Sequence, residues 1–498
     1  MKPVVTTAEM RALDRATIDD VGLPALTLME TAGRAVAAAA LEMVGEGGHV
    51  AVVCGPGNNG GDGFVAARVL RAAGIEAVAY LAVARERIKG DAAAHLQILE
   101  RSGGLVRMAD TPAALAEVDG AITAGLAIDA VFGVGLERPI EGHFAEVIAA
   151  INRAPRTLAL DIPSGLDTDT GGVLGVAAQA ERTVTMAALK IALVSAPGFA
   201  YCGRVDVCDI GVPPGVLATQ DIRAGLVEES DVTRWLPRTT PMDHKGTRGH
   251  VLVIGGMTGM RGAGRLASLA GLRAGAGLVT LAATGEPTAE DPVMTRSISD
   301  GPLGALLDGK AAVVIGPGLG RDERARGWVS EVLASGVPAV VDADALFVAG
   351  DQLAGAAGPI VITPHPGEAA RLLGTNASEI EADRVRAARA LAAKTRAVVV
   401  LKGARTITCD GSLGDDFCSI NPTGGPSLGT GGSGDVLAGV IGALCAQRVS
   451  PHDAARAGAF VHGRAGDELV ASHGMRGVVS SDLPLEIARQ IGRLSRLG

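Results

Sequence analysis

The sequence predicts an α/β fold that is built twice along the chain. Short apolar runs ending in turn signals alternate with helical patterns over 49–161, and the same alternation returns over 249–403. Between them, residues 218–240 contain prolines and acidic residues with little periodicity. Strand–helix alternation of this kind predicts parallel sheets with helices on both faces. A chain of 498 residues is also too long for one typical core, so two or three domains are expected.

Composition excludes several classes of function. Hydrophobic residues make up 48% of the chain and charged residues 20%, as in globular proteins. Aromatic residues make up 2% and the net charge is −9, which argues against a nucleic-acid-binding surface. The N-terminus has no apolar signal region, and no uncharged apolar run reaches membrane-spanning length. We therefore expect a cytoplasmic protein that binds neither nucleic acid nor membranes.

The cysteines and histidines show no metal-binding pattern. The nine histidines include no cluster with zinc-ligand spacing, so no zinc site is expected. The six cysteines include no Cys-x-x-Cys pair and are expected to be reduced thiols. They are Cys54, Cys202, Cys208, Cys409, Cys418 and Cys445.

In the first half, each element is predicted from its own pattern. Thr7 provides an N-cap signal for a first helix, and residues 26–44 carry Leu, Met, Ala and Val at helical spacing. Short apolar runs predict buried strands, and one intervening run predicts a helix. The strands are expected at 49–54, 77–83, 127–132 and 157–161, and the helix at 64–73.

The second half repeats this pattern after a turn-like stretch at 212–215 and a linker at 218–240. Its apolar runs again end in turn signals, which predicts a second α/β domain. The strand-and-turn segments are expected at 249–255, 311–320, 338–344, 359–363 and 397–403.

The most informative motif is the glycine-rich run NPTGGPSLGTGGSGD at 421–435, which is followed by the apolar run 436–444. Unpaired N–H groups at a helix start form an anion site, and glycines let a phosphate approach the backbone. Asp435 adds a candidate general base in the first helical turn. A phosphate site with a base beside it indicates transfer of a phosphoryl group to a hydroxyl. The structural alternative is a simple helix cap.

A second glycine-rich run, GPGNNGGDG at 55–63, follows a predicted strand. Its Gly-x-Gly-x-x-Gly spacing matches a dinucleotide fingerprint, but the next strand does not end in a convincing acidic residue. Asn58, Asn59 and Asp62 are unusual in such a loop, and their oxygens suit an alkali or alkaline-earth ion. The alternative is a structural turn in which Asn and Asp tolerate a strained backbone.

Two further strand ends carry carboxylates, Asp129 and Asp161, and Ser164 follows the second. Ligands of open parallel sheets bind at the carboxyl ends of the strands. Asn59, Asp129, Asp161 and Ser164 are therefore expected to converge on one pocket. Taken singly, either aspartate fits an N-cap or loop role equally well.

Four motifs together resemble the N-terminal domain of the NAD(P)HX repair enzymes, over about the first 215 residues. They are MRALD at 10–14, LMETAG at 28–33, the run 55–63 and LDIPSGLD at 160–167. The resemblance implies a Rossmann-like epimerase that interconverts the R and S forms of hydrated NADH or NADPH. It also implies a potassium ion held by Asn59, Asp129 and Ser164. Asp161 is the acid/base candidate, and Lys190 fits either a weaker catalytic role or an ordinary snorkelling lysine.

The same resemblance places the hydrated cofactor on residues from three segments. They are Asn58, Asn59, Gly60, Gly61, Asp62, Gly133, Val134, Gly135, Leu136, Glu137, Arg138, Pro139 and Asp161.

From about residue 226 the chain resembles the NAD(P)HX dehydratases of the ribokinase-like superfamily. The matching motifs are KGTRG at 245–249, GAGLVT at 275–280, GPGLG at 316–320, VDADAL at 341–346, TPHPGE at 363–368, KG at 402–403 and GGSGD at 431–435. One departure is Gly429, where relatives often have Ala; the spacing to Asp435 is intact.

This second resemblance implies that Asp435 takes the proton of the substrate hydroxyl while ADP and Mg²⁺ are bound. Glu368 and Asp342 are expected to contact magnesium indirectly, although Asp342 also fits a turn cap. The implied substrate-binding residues are Ala263, Gly318, His365 and Asp435, and His365 also fits a packed loop residue. The implied nucleotide-binding residues are Lys402, Gly403, Ala404, Arg405, Thr406 and Gly434.

The resulting prediction is a bifunctional enzyme with an epimerase domain at 1–217, a linker at 218–240 and a ribokinase-like dehydratase domain at 226–498. NADHX, NADPHX and ADP are the expected small-molecule partners, and a homo-oligomer is expected from the resemblance. The alternative is a vitamin kinase of the hydroxymethylpyrimidine or thiazole type with a non-catalytic first domain.

Overall fold

The computed structural model describes residues 1–45, 48–299, 301–412, 414 and 416–495. Two compact units make up the chain. The first unit is Pro3–Ile222, and the second unit combines Met1–Lys2 with Arg223–Gly498. Among the described residues, no helix is both long enough and apolar enough to cross a bilayer.

The first unit contains a parallel sheet in the order β4-β3-β2-β5-β6-β7-β9. Outside this sheet, β1 pairs in parallel with β8. The strands up to residue 222 are β1 (Lys2–Val5), β2 (His49–Cys54), β3 (Glu76–Leu81), β4 (Leu105–Met108), β5 (Leu126–Ala130), β6 (Arg156–Leu160), β7 (Arg182–Met186), β8 (Leu189–Lys190) and β9 (Arg204–Cys208).

Helices cover both faces of this sheet and bury separate apolar clusters against it. The helices are α1 (Thr7–Arg15), α2 (Ala25–Met43), α3 (Asn58–Ala72), α4 (Gly90–Arg101), α5 (Pro112–Ile122), α6 (His143–Arg153), α7 (Ile191–Val194) and α8 (Pro214–Thr219). A π-helical turn lies at Ala16–Asp20, and 3-10 turns lie at Arg85–Arg87 and Gly198–Tyr201.

The strand order reverses between β2 and β5, which makes the gap beyond their carboxyl ends the topological switch point of the sheet. The strands predicted at 49–54, 77–83, 127–132 and 157–161 correspond to β2, β3, β5 and β6. The helix predicted at 64–73 begins earlier, at Asn58, because Asn58–Asp62 already form its first turns. The predicted loop is therefore shorter than its glycine content indicates.

In the second unit the sheet has the order β13-β12-β11-β14-β15-β16-β17-β18-β19-β10. Its strands are parallel except that β18 runs antiparallel to both β17 and β19. The strands are β10 (Ala224–Leu226), β11 (His250–Ile254), β12 (Leu278–Thr284), β13 (Met294–Ile298), β14 (Ala312–Ile315), β15 (Ala339–Val341), β16 (Ile360–Ile362), β17 (Val398–Leu401), β18 (Ile407–Asp410) and β19 (Cys418–Ile420).

The helices of the second unit include two long ones near its C-terminal end. They are α9 (Glu229–Trp235), α10 (Arg261–Arg273), α11 (Glu323–Ala334), α12 (Asp344–Ala349), α13 (Pro366–Leu373), α14 (Ala377–Ala382), α15 (Arg384–Thr395), α16 (Ser433–Ala446), α17 (Pro451–His473) and α18 (Leu483–Ser495). Three 3-10 turns lie at Gly304–Leu306, Gly350–Gly355 and Pro426–Leu428. Within the predicted linker at 218–240, β10 and α9 are already ordered parts of this unit.

One disulfide corrects an expectation from the sequence. Cys409 and Cys418 are bonded, so the prediction that all six cysteines are reduced thiols is wrong for this pair. The two residues lie directly opposite each other on β18 and β19. Cysteine spacing alone does not reveal this proximity, because it depends on an antiparallel hairpin that the sequence pattern does not predict. Cys54, Cys202 and Cys445 are buried and are not part of this disulfide.

Helix α16 is the central helix of the second unit's core. All of its residues from Val436 to Ala446 are buried. Its contact with α10 is so close that a Cβ added at Gly439 would lie 2.1 Å from the Ala267 carbonyl oxygen. Glycine is required at this position because two helix backbones meet there.

We predict that Gly439→Ala lowers the free energy of unfolding of the second unit by about 2–4 kcal/mol, because α10 and α16 must move apart. Both tryptophans, Trp235 and Trp328, lie in this unit, so denaturation followed by tryptophan fluorescence measures it selectively. The matched control is Gly492→Ala in α18, where an added Cβ meets nothing within 4 Å. That variant should gain up to about 1 kcal/mol from helix propensity. Equal stability of the two variants would contradict the packing argument.

Candidate active sites

The first candidate site is a cavity of about 890 Å³ beyond the carboxyl ends of β2, β5 and β6. Its position matches the switch point of the sheet. The predicted substrate-binding residues that line it are Asn58, Asn59, Asp62, Gly133, Val134, Gly135, Leu136, Glu137, Arg138, Pro139 and Asp161. Residues far apart in the sequence therefore meet at one pocket, as the parallel-sheet rule predicts.

Gly60 and Gly61 are predicted site residues that are absent from the cavity lining. A Cβ added at Gly60 would lie 2.2 Å from the carbonyl oxygen of Gly55, and one added at Gly61 would lie 2.5 Å from the Met29 sulfur. Gly55 is equally constrained, since its Cβ would lie 1.9 Å from the Val131 carbonyl oxygen. In this structure these glycines allow close packing of the strand-to-helix turn.

Asp129 and Ser164 form a buried cluster of oxygen atoms beside the cavity. The Ser164 hydroxyl donates to Asp129 Oδ1 at 2.6 Å, and the Ser164 N–H donates to Oδ2 at 2.7 Å. Burial raises the pKa of Asp129 to about 6, although these hydrogen bonds oppose the shift. No described lysine or arginine forms an ion pair with this carboxylate.

This chemistry fits a potassium ion. In the described part of the chain the Asp129 carboxylate has no cationic side-chain partner. Its neighbours offer hard hydroxyl and carbonyl oxygens, including the Phe132 carbonyl oxygen, which lies 3.1 Å from Ser164 Oγ. Asn59 Oδ1 lies 3.0 Å from the position of a Cβ on Gly133. Within the described residues, no group of three or more His, Cys, Asp or Glu side chains could hold a metal ion. A cation here would therefore depend on neutral oxygen donors together with Asp129.

Asp161 follows β6 with a positive φ of 69°, a conformation that is strained for most side chains. Its Oδ1 accepts a hydrogen bond from Lys190 Nζ at 2.6 Å, and Thr185 and the Met186 N–H also bond this oxygen. Lys190 is fully buried. Lys190 is therefore a buried lysine whose ammonium is held in an ion pair with Asp161. A snorkelling lysine would instead place its ammonium at the surface.

Asp14 on α1 also lines the first cavity, and the sequence did not identify it as a site residue. Burial raises its pKa, and the positive charge of Lys190 partly opposes that shift. Arg11 and Arg87 line the cavity as well. The sequence predicted a helix in this region, although its N-cap is Thr6 and not Thr7 as expected. Nothing in the sequence indicated that this helix reaches the site.

The second candidate site lies at the start of α16. Gly432 is its N-cap residue with a φ of 89°, where a Cβ would lie 2.6 Å from Leu266 Cδ1. The first turn of a helix leaves backbone N–H groups without intrahelical partners, and they form an anion site. Asp435 lies in this turn. Burial raises its pKa to about 7, and the negative charge of Asp342 adds to the shift.

Lys402 and Asp342 form an ion pair beside this turn. Lys402 Nζ lies 2.8 Å from Asp342 Oδ1 and 3.9 Å from Glu368 Oε2. Burial lowers the pKa of the Lys402 ammonium, but the neighbouring carboxylates outweigh it and the net shift is upward. The Thr363 hydroxyl also donates to Asp342 Oδ1 at 2.7 Å. Asp342 Oδ1 therefore accepts two hydrogen bonds, one from Thr363 and one from Lys402.

The other predicted residues of the second site have different surroundings. Gly434 lies against the Lys402 ammonium, 3.2 Å from the position of its Cβ. A Cβ on Gly318 would lie 3.2 Å from Ala263 Cβ, so these two residues meet. His365 caps α13, with Nε2 3.6 Å from Glu368.

The predicted nucleotide-binding segment, 402–406, forms the loop between β17 and β18. Gly403 packs on the buried Arg384, whose guanidinium lies 2.7 Å from the position of a Gly403 Cβ. Arg384 also donates to the Lys402 carbonyl. Arg405 donates to the Pro422 carbonyl, and Thr406 donates to the Gly403 carbonyl. The importance of Arg384 was not apparent from the sequence.

Two family models match the chain in succession. Residues 25–192 match the model described as YjeF-related protein N-terminus, and residues 251–489 match the model described as NAD(P)H-hydrate dehydratase. Among solved structures, the second unit is similar to an ADP/ATP-dependent NAD(P)H-hydrate dehydratase from Bacillus subtilis co-crystallised with ATP and Mg²⁺. The two are 29% identical with a TM-score of 0.48, and the match covers 54% of this chain and 98% of that one.

Curated relatives match along nearly the whole chain. The bifunctional NAD(P)H-hydrate repair enzyme Nnr of Moorella thermoacetica is 43% identical over 507 residues, which cover 96% of this chain and 95% of the relative. The enzyme of the same name from Coxiella burnetii is 38% identical, covering 95% and 96% of the two chains. That from Escherichia coli is 35% identical, covering 95% and 91%.

We predict that Asp435→Asn stabilises the second unit at pH 8 by about 4 kcal/mol but changes its stability little at pH 4. The folded carboxyl keeps its proton up to about pH 7, whereas the carboxyl of the unfolded chain loses it near the ordinary aspartate pKa of 3.8. Unfolding therefore releases a proton between these values, and the wild-type protein loses stability as the pH rises through them. Urea denaturation followed by tryptophan fluorescence measures both proteins.

The matched control is Asp351→Asn, whose side chain is 96% exposed and should show no such pH dependence. A stability difference between wild type and Asp435→Asn that stays constant from pH 4 to pH 8 would contradict the raised pKa.

Proposed function

The chain belongs to the family of bifunctional NAD(P)H-hydrate repair enzymes, and from this premise we propose which residues perform its two reactions. The protein is an NAD(P)H-hydrate epimerase joined to an NAD(P)H-hydrate dehydratase, and its function is repair of hydrated nicotinamide nucleotides. The vitamin-kinase alternative is not supported, because relatives that match nearly the whole chain are named bifunctional NAD(P)H-hydrate repair enzymes. One observation supports the assignment to two sites: each unit holds its own buried carboxylate cluster at a sheet edge or helix start.

For the second unit we propose that Asp435 is the general base for phosphoryl transfer. The ring hydroxyl at C6 of the S epimer loses its proton to Asp435 and attacks the terminal phosphorus of the nucleotide. A pKa of about 7 suits a general base at neutral pH. The N–H groups at the start of α16 hold the transferring phosphoryl group, and the Lys402 ammonium lies beside Gly434 in the same turn. The ring nitrogen then expels phosphate, and loss of a C5 proton restores the dihydronicotinamide.

We propose ADP as the phosphoryl donor, which gives AMP and phosphate. The proposed substrate contacts are Ala263, Gly318, His365 and Asp435, and the proposed nucleotide contacts are Lys402, Gly403, Ala404, Arg405, Thr406 and Gly434. Magnesium, when bound, would neutralise phosphate charge, with Asp342 and Glu368 contacting it through water. We also propose that the protein is cytoplasmic and forms a homo-oligomer.

For the first unit we propose that the hydrated cofactor occupies the cavity beyond β2, β5 and β6, with Asp161 as its acid/base residue. The contacts proposed from the sequence remain those of segments 58–62 and 133–139. A volume of about 890 Å³ accommodates the nicotinamide end of a dinucleotide, since ligand pockets of roughly 300–1,000 Å³ are typical. Asn59, Asp129 and Ser164 would hold potassium, whose positive charge would balance the buried Asp129 carboxylate.

We predict that one substitution in each unit abolishes the reaction of that unit and leaves the other reaction intact. With mixed-epimer NADHX, Mg²⁺, K⁺ and ADP, the wild type should recover both epimers as NADH, measured by absorbance. Asp435→Asn should recover almost none, with a loss of at least about 100-fold, yet still interconvert the epimers. Asp161→Asn should recover only the S fraction. Recovery of the R fraction by Asp161→Asn would contradict the proposed base, and faster recovery with ATP would contradict ADP as the donor.

We predict that Asn59→Ala abolishes the potassium dependence of epimerisation, because it removes one of the neutral oxygen donors. Epimerisation is measured against K⁺ concentration while Na⁺ keeps the ionic strength constant. The matched control is Asn58→Ala, which should weaken substrate binding but keep the wild-type response to K⁺. An unchanged potassium response in Asn59→Ala would contradict the assigned ion site.

A further inference from the structure

Lys190 uses all of its hydrogen-bonding capacity inside the protein. Its ammonium donates to Asp161 Oδ1 at 2.6 Å, to Thr185 Oγ1 at 2.9 Å and to the Met186 carbonyl at 2.8 Å. An ammonium group has three N–H donors and no lone pair. Lys190 therefore has neither a free proton donor nor an acceptor for a substrate, although it lines the cavity.

The two oxygens of Asp161 have different surroundings. Oδ1 accepts from Lys190, from Thr185 Oγ1 at 3.0 Å and from the Met186 N–H at 3.3 Å. No described residue donates to Oδ2, which lies 3.3 Å from the position of a Cβ on Gly133. Gly133 is part of the cavity lining. One oxygen is thus held by the protein while the other faces the space for the substrate.

Asp62 is a second carboxyl group on the same cavity, in the first turns of α3. Burial raises its pKa well above the usual value, and the charges of Asp161 and Asp14 raise it further. The positive charge of Lys190 lowers the pKa of Asp62, but the Lys190 ammonium is hydrogen-bonded to Asp161. Both carboxyl groups therefore face the same cavity, but Asp161 is bonded to an ammonium group and Asp62 has no ion pair among the described residues. This difference suits a base and an acid.

We propose that Asp161 Oδ2 and Asp62 form an acid/base pair for epimerisation, and that Lys190 is a positioning residue that fixes the orientation of Asp161. This proposal rests on the epimerase function proposed for the first unit. It gives Asp62 a catalytic role beyond substrate contact, and it excludes Lys190 as a direct proton donor.

The chemistry balances without any co-reactant. Asp161 Oδ2 takes the proton of the C6 hydroxyl while Asp62 gives its proton to the ring nitrogen. The C6–N1 bond breaks, its electron pair stays on nitrogen, and C6 becomes an aldehyde carbon. After rotation about C5–C6, the nitrogen attacks the opposite face of the aldehyde. Its proton returns to Asp62 and the proton on Asp161 returns to oxygen, so both residues are restored.

The test measures NADH recovery from the purified R epimer, coupled to the dehydratase of the same chain, with recovery from the S epimer as internal control. Lys190→Met should lower the kcat for the R epimer about 100-fold with a change in KM below about threefold. The rising limb of its pH profile should move to higher pH, since Asp161 loses its cationic partner. Arg182→Met, which removes ion pairs to Asp206 and Glu42 away from the cavity, should keep the wild-type kcat and pH profile.

Asp62→Asn provides an independent test that leaves the buried Lys190 intact. It should lower kcat by a similar factor and remove the falling limb of the pH profile, whereas Asp14→Asn should keep that limb. A wild-type kcat in Asp62→Asn, or an unmoved rising limb in a folded Lys190→Met protein, would overturn the proposal. If Lys190→Met does not fold, Asp62→Asn alone decides. Failure of the wild type to epimerise would instead overturn the epimerase assignment itself.

Discussion

A carboxylate buried at the end of a parallel strand must be given a cation, a proton or several hydrogen bonds, because ionised groups are costly to remove from water. The active-site regions of this chain show three such arrangements. Lys190 balances Asp161, and Lys402 balances Asp342. Asp129 has hydrogen bonds but no cationic side chain within the described residues, and its pKa is raised to about 6. The different chemical properties proposed for these groups follow from how each charge is compensated.

Burial and neighbouring negative charges explain why each site contains carboxyl groups with raised pKa values. In the second unit, burial raises the pKa of Asp435 at the start of α16 to about 7, and the charge of Asp342 adds to the shift. In the first unit, burial raises the pKa values of Asp62 and Asp14, and the charge of Asp161 adds to both shifts. The lysine of each site is bonded to a different carboxylate, Asp342 or Asp161, and the three groups with raised pKa values have no ion pair among the described residues.

The sequence predicted the strands and the position of Asn59 and Asp161 at one cavity, because parallel-sheet topology brings strand ends together whatever the side chains are. Asp129 and Ser164 bond to each other but are absent from the cavity lining. Contacts that form only when distant segments pack together could not be predicted from the sequence. Asp14 reaches the cavity from α1, and Cys409 meets Cys418 only because an antiparallel hairpin forms within a largely parallel sheet. Gly60 and Gly61 remain proposed ligand contacts, but their tight packing is a second reason for glycine at these positions. Pattern alone does not separate these two uses of glycine.

The backbone of Asp161 limits how this site can change during evolution. At a φ of 69° the position accommodates Asp, Asn or Gly far better than longer side chains. Glutamate would therefore bring backbone strain as well as a misplaced carboxylate. Codons for asparagine and glycine are each one nucleotide away from those for aspartate. A lineage that no longer needed the reaction could lose the carboxylate while keeping the fold, but it could not readily substitute another acid.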